Sequence, residues 1–210
     1  MGPTTNKVPL PVGLRRAGPP GLCLDYANTL SWRGLERPAE TLRSLAHLID
    51  WCARAEVAPE FRDWSGLPTA VADALLAEAI ALRETIYRIF SALAGGGSSP
   101  PADLRALSEA MARAPLRCAI VQLGAHYAWQ VEPQPGGDCC SAPNLLAAVV
   151  WSAADLVVGD RRGSVRQCAN DRCRWLFLDA SRTGSRRWCE MRSCGNRAKA
   201  RRHYLRHRGA

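Results

Sequence analysis

The sequence predicts a mostly helical α+β chain: a helical body with one β-hairpin, then a small cysteine-rich module that ends in a basic helix. Three observations predict it. Apolar residues recur at three- and four-residue steps through much of residues 38–158. Residues 116–132 break that rhythm with β-branched and aromatic residues around Gly124-Ala125. Four of the nine cysteines fall in two close pairs inside an arginine-rich tail.

Residues 1–19 are rich in Pro and Gly, carry no pattern and read as a flexible arm. The body spans 20–160 and the module 161–210. In the body, GLCLDYANTL alternates around Leu22, Leu24 and Tyr26, which predicts a short strand or an extended entry. From Pro38 the pattern turns helical through Leu42, Leu45, Ile49 and Cys52, with Pro38 or Thr41 opening the helix. A longer helix runs from about Thr69 to Leu93 along Val71, Leu75, Ala79, Leu82, Ile86, Phe90 and Leu93, and GGGSSPP stops it. A third, from about Ala102 to Arg113, presents Leu104, Leu107 and Met111. Residues 116–123 and 127–132 form the hairpin, and a loop of Pro, Gly, Asp and Cys follows. Asn144 then caps a helix to about Val158 that is apolar on most sides and therefore central, and Gly159 ends it.

The net charge of +9 is unevenly placed. From Arg161 onward fifteen basic residues face only Asp171, Asp179 and Glu190, a balance of +12, while the preceding residues carry −3. An acidic body with a basic tail implies a polyanionic partner for the tail. No apolar run reaches the roughly 20 residues of a membrane span; the longest, Leu145 to Val158, is interrupted by Ser152 and Asp155. The N-terminus has no apolar core for export, and its near-myristoylation pattern is spoiled by Pro3 and Asn6. A cytoplasmic location is expected. Reduced cysteines are expected with it: Cys23, Cys52 and Cys118 as small buried hydrophobes, Cys139 and Cys140 as adjacent loop residues that often have no role, with a redox or second metal role as the alternative.

The remaining cysteines read Cys168-x4-Cys173, fifteen residues, Cys189-x4-Cys194. Two close pairs on tight turns let four thiolates converge on one tetrahedral zinc. Between them lie Trp175, Leu176 and Phe177, too small a core to hold some fifty residues without a staple. A rival set of Cys189, Cys194, His203 and His207 leaves eight residues between second Cys and first His where about twelve are wanted, and it leaves Cys168 and Cys173 unemployed. The expectation is one structural Zn2+ per chain, with all four positions filled by protein and none open for catalysis.

Around that staple stand Arg182, Arg186, Arg187, Arg192, Arg197, Lys199, Arg201, Arg202, Arg206 and Arg208, the last seven on or beside a helix over 195–208. Tyr204 and Leu205 are expected to touch the module and Trp188 to brace its turn. Arg outnumbers Lys fourteen to one in the tail, which favours planar hydrogen-bonded recognition over plain charge. Nucleic-acid contact is assigned to Arg186, Arg187, Arg192, Asn196, Arg197, Lys199, Arg201, Arg202 and Arg206, with Asn196 suited to an adenine edge. The helix has no apolar face for a membrane.

The run RRWCEMRSCGNRAKARRHYLRHR, with CRWLFLDASRTGSRRWC ahead of it, resembles the CGNR zinc-finger family, whose tetrad is Cys194-Gly195-Asn196-Arg197 here. LCLDYANTL, LRETIYRIFSAL and NLLAAVVWSAADLV resemble the ABATE domain that precedes such fingers. The resemblance implies zinc ligation by Cys168, Cys173, Cys189 and Cys194 and DNA as partner, since such proteins are regarded as bacterial stress-responsive transcription regulators. The expected function is therefore a zinc-dependent DNA-binding regulator whose body senses a signal or forms a homodimer. An RNA-binding or ribosome-associated module would use the same basic surface. An enzyme would have to draw on Asp25, Asn28, Thr29 or His47, and no nucleophile–base pattern, phosphate loop or acidic metal cluster accompanies them, so no catalysis is expected.

Overall fold

The computed structural model describes residues 13–15, 18–57, 66–133, 135 and 141–208, and only the backbone of 202, 203 and 205–208. Cys139, Cys140 and most of the expected N-terminal arm lie outside the described residues. In chain order the elements are β1 (Leu14–Arg15), α1 (Leu22–Ala27), β2 (Leu30–Ser31), β3 (Ala39–Glu40), α2 (Leu45–Arg54), α3 (Thr69–Ala94), α4 (Pro101–Arg113), β4 (Leu116–Leu123), β5 (His126–Glu132), α5 (Ala142–Leu145), α6 (Ala147–Val158), β6 (Val165–Gln167), β7 (Leu176–Leu178) and α7 (Asn196–Arg208).

The 26-residue α3 is the axis of the body. Its core face, Leu75, Ala79, Leu82, Ile86, Ile89 and Phe90, keeps helical spacing and is buried, while Val71 at its start stays exposed. The chain leaves α3 through Gly95 and Gly96, the latter at φ 77. Against α3 lie α1 and α4, and α6 packs on both of these; it is central as its composition predicts, with Ala147, Ala148, Val149, Val150, Trp151, Ala153 and Leu156 buried. The hairpin β4–β5 turns at Gly124 (φ 61), and β1 adds to the other side of β5, giving the order β1-β5-β4.

Four expectations are corrected. GLCLDYANTL forms the helix α1, entered through Gly21 at φ 87, and not a strand. Leu22, Cys23, Leu24, Tyr26 and Ala27 are all buried, so six residues carry no readable helical stripe and their alternation imitates a strand. The helix α2 begins at Leu45, capped by the Ser44 hydroxyl, which accepts the His47 N–H at 3.4 Å. Residues 39–40 pair instead with β2, because the Glu40 carboxylate accepts the Leu42 N–H at 2.8 Å and holds Arg83. Asn144 lies inside α5 rather than capping one long helix, and Leu146 separates α5 from α6. Cys118 sits exposed at an irregularity of β4 between Arg117 and Ala119, whereas Cys23 and Cys52 are buried and burial pushes both thiols up to about 12.

The body also encloses a charged network. Arg83 is 2% exposed and is matched by Glu40 (2.7 and 2.8 Å) and Glu84 (2.8 Å). Arg33 donates to the same Glu84 at 2.7 and 3.0 Å and lies 3.7 Å from the Tyr87 ring centroid. A buried guanidinium is tolerable only when paired and hydrogen-bonded in this way. No helix among the described residues is long and apolar enough to cross a membrane.

The cysteine-rich module does not stand apart. Val165 of β6 and Leu176 of β7 belong to the same apolar core as α1, α3 and α6. Asn28, just after α1, acts as a substitute strand for β7: its Nδ2 donates to the Leu176 carbonyl at 2.8 Å and its Oδ1 accepts the Leu176 N–H at 3.0 Å. The Tyr87 hydroxyl donates to the Arg174 carbonyl (3.2 Å), and Gln167 donates to Tyr87 and Ser91 at 2.9 and 3.0 Å.

Candidate metal centre and nucleic-acid interface

The strands β6 and β7 pair antiparallel, and the turn joining them carries the first two cysteines. Cys168 N–H donates to Trp175 O at 2.8 Å, and Cys173 and Arg174 N–H groups both donate to Asn170 O at 2.8 and 3.1 Å. This tight turn points both thiols inward. The second pair sits where the chain turns through residues 191–195 into α7, with Gly195 N–H donating to Glu190 O at 3.1 Å. Cys168, Cys173 and Cys194 are buried and Cys189 is half-buried.

The four sulfurs lie within 4.8 Å of one another, and Cys173 and Cys189 are 3.7 Å apart. Zn–S bonds of about 2.3 Å in a tetrahedron place sulfurs about 3.8 Å apart, so the donor set fits zinc. Without a cation the cluster must share protons. Hydrogen bonds from Cys173 and then Cys189 drive Cys168 down, and bonding to Cys168 drives Cys173 and Cys189 up. A divalent metal removes that conflict by letting all four ionise. The Asn170 amide supports the set by donating to Cys194 Sγ at 3.4 Å.

The CGNR tetrad acquires a physical meaning residue by residue. Cys194 supplies a sulfur. Gly195 leaves room for the Met191 side chain, which a Cβ there would overlap. Asn196 donates from Nδ2 to Arg192 O at 3.2 Å and steadies the turn into α7. Arg197 places its guanidinium 4.7 Å from the centroid of Trp32, a residue of the body.

The assigned nucleic-acid residues divide into two groups. Arg186 is committed to the module: Nε donates to Trp188 O at 2.9 Å, Nη2 to Cys189 O, and the guanidinium lies over Phe177 at 4.6 Å. Its backbone N–H donates to Asp179 (2.9 Å), whose carboxyl is held low by hydrogen bonds from Ser181 and Arg186. Asn196 is likewise occupied within its turn. Arg187, Arg192, Arg197, Lys199 and Arg201 are exposed around the second cysteine pair and the start of α7. The side chains of Arg202 and Arg206, and those of His203, Leu205 and His207, lie outside the description. Tyr204 is 53% exposed.

Sequence reasoning missed the body's share of this region. Trp32 packs on the cysteine cluster with Phe177 and Trp188. Gly34 N–H donates to Arg172 O at 3.2 Å, and a Cβ on Gly34 would overlap the Asp171 carbonyl. A tryptophan and a glycine two residues apart, following LCLDYANTL, were the only signals. The candidates for catalysis are held by other partners or exposed. Asn28 binds Leu176, Thr29 Oγ1 donates to Tyr26 O at 2.8 Å, Asp25 is exposed on α1, and His47 is exposed with Nδ1 beside Ser44 Oγ.

Against known proteins, residues 21–160 match the ABATE model, described as "Putative stress-induced transcription regulator", and residues 164–207 match the CGNR zinc finger. No curated protein matches the chain. The two models follow one another along nearly the whole described sequence, and the chain belongs to the ABATE family, with a CGNR zinc finger at its C-terminal end.

Proposed function

We propose that the protein is a zinc-dependent DNA-binding transcription regulator. Cys168, Cys173, Cys189 and Cys194 hold one structural Zn2+. Arg187, Arg192, Arg197, Lys199 and Arg201 contact DNA, continued along α7 by Arg202 and Arg206, while the body senses a signal or joins two copies. Arg186 and Asn196 support this surface rather than touch DNA. The observation that carries the reading is the placement of α7 directly after Cys194 of the four-sulfur cluster; zinc bound there would fix the start of an arginine-rich helix for contact with a polyanion. The description of the matched family supports it.

The test is selection of bound duplexes from a random DNA pool by the zinc-loaded chain, with structured RNA as competitor at fixed salt. An enriched duplex motif that survives RNA competition is expected. Preferential loss to RNA would reassign the surface to an RNA-binding module.

A further inference from the structure

A cleft of about 1070 Å3 opens between the loop after β2 and the zinc module. The body contributes Trp32 and Leu35, and the module contributes Trp188, Arg187, Arg197 and Arg201. Trp32 adopts φ 57, a left-handed backbone that a bulky residue rarely takes. It is held there by the Leu35 N–H, which donates to Trp32 O at 2.9 Å, and by the Gly34 contact with the module. Strain of this kind persists where surrounding structure enforces it, and it clusters at binding sites.

The lining combines two half-buried indoles with several guanidinium groups, and Asn170, Asp171 and Arg172 complete its polar part. An apolar ligand would strip water from the arginines without replacing it. A bare anion would draw Arg197 and Arg187 off the indoles and put nothing on the ring faces they leave. Paired duplex DNA keeps its base faces stacked and cannot offer one. A nucleotide satisfies both halves of the lining, since base faces stack on aromatic rings and phosphates take bidentate Arg contacts. The cleft is also of a size that encloses small molecules of this class.

The geometry points to a nucleotide subsite in this cleft: the base takes the places over the Trp32 and Trp188 rings where the Arg197 and Arg187 guanidinium groups lie, 4.7 and 5.5 Å from the centroids, and those two groups turn with Arg201 to the phosphate. It rests on the reading that these arginines face a polyanion. The nucleotide is either a free mononucleotide or one unpaired residue of a bound strand, and Trp32 makes the body part of the recognition in both cases.

The experiment uses the zinc-loaded full chain and three probes: a fully paired duplex, the same duplex with one unpaired fluorescent adenine analogue, and free nucleoside monophosphates. Trp32→Leu keeps apolar bulk against the cysteine cluster but removes the stacking face, and Trp32→Phe keeps a ring. Zinc content is measured for each. The unpaired nucleotide should raise duplex affinity about fivefold or more and its fluorescence should be quenched on binding. Trp32→Leu should abolish that gain, read as the ratio of unpaired-duplex to paired-duplex affinity within the same variant, and Trp32→Phe should keep most of it. Monophosphate binding weakened about tenfold in Trp32→Leu identifies a free nucleotide as the source instead. Should the leucine variant lose zinc, the wild-type gain and quenching, with Trp32→Phe, decide the matter. Equal affinity for both duplexes and no Trp32-dependent monophosphate binding overturn the subsite and leave DNA binding standing. Failure of the wild type to bind paired duplex overturns the proposed function instead, and the monophosphate arm then decides the subsite alone.

Discussion

Gly34 and Asp171, far apart in sequence, meet backbone to backbone, so closely that a Cβ on the glycine would overlap the Asp171 carbonyl oxygen. The contact locks the body's loop to the first cysteine turn. Because the obstacle is backbone rather than a pliable side chain, Gly34→Ala forces the two apart. The expected loss is about 1–3 kcal/mol in denaturant unfolding of the zinc-loaded chain. An unchanged midpoint would mean that loop and module are not docked.

Asn28 makes a second joint, with both halves of its amide on Leu176. Asn28→Ala strands a buried N–H and a buried carbonyl, at about 2 kcal/mol or more. Asn28→Asp keeps the acceptor for the N–H but loses the donor, so it should fall below the wild type in thermal melting near neutral pH. An aspartate variant as stable as the asparagine would remove the strand-substitute role.

Glu84 gives a pH-dependent handle. Burial raises its carboxyl, but hydrogen bonds and charge from Arg33 and Arg83 outweigh burial and hold it below its ordinary value of 4.5. A carboxyl lowered by folding contributes stability that is full above that value and fades as pH falls through the depressed one. The gap between wild type and Glu84→Gln should therefore be constant from neutral pH down to about 5 and shrink in more acid solution. The cysteine cluster is common to both proteins, so the difference between the two denaturation curves carries the test. A gap that widens in acid would contradict the assignment.

Neighbouring arginines should behave differently. Arg186 ties together the Trp188 and Cys189 carbonyls and covers Phe177, so Arg186→Ala should cost about 1–2 kcal/mol and speed zinc loss to a chelator. Arg187 extends beside Trp188 at the surface, so Arg187→Ala should keep its zinc and lower the slope of log affinity for DNA against log salt by about one. Equal zinc retention in the two variants would erase the distinction.

The long elements were legible because their patterns are long: α3, α4, the hairpin at Gly124 and the cysteine spacing all follow from periodicity or spacing. What escaped depends on partners distant in the chain. The short helix α1 is buried almost all round and shows no stripe. Asn28 stood out only as one of four polar candidates in the body, and its role depends on Leu176, which no local pattern connects to it. The module looked too poor in apolar residues to fold without metal, yet Val165 and Leu176 also borrow the body's core. Trp32 and Gly34 drew no notice because their function is to meet the module. Arg186 and Arg187 are identical in sequence terms, and only coordinates separate the one that holds the turn from the one that faces outward.

In the proposed function, zinc held by the four cysteines fixes the arginine surface on DNA. The most direct measurement is metal content of the purified chain by mass spectrometry, taken on the same samples as duplex DNA affinity, for wild type and Cys189→Ser. The expected result is one zinc per wild-type chain and joint loss of zinc and DNA affinity in the variant. A wild-type protein free of zinc, or a Cys189→Ser variant that binds DNA undiminished after losing its metal, would contradict it.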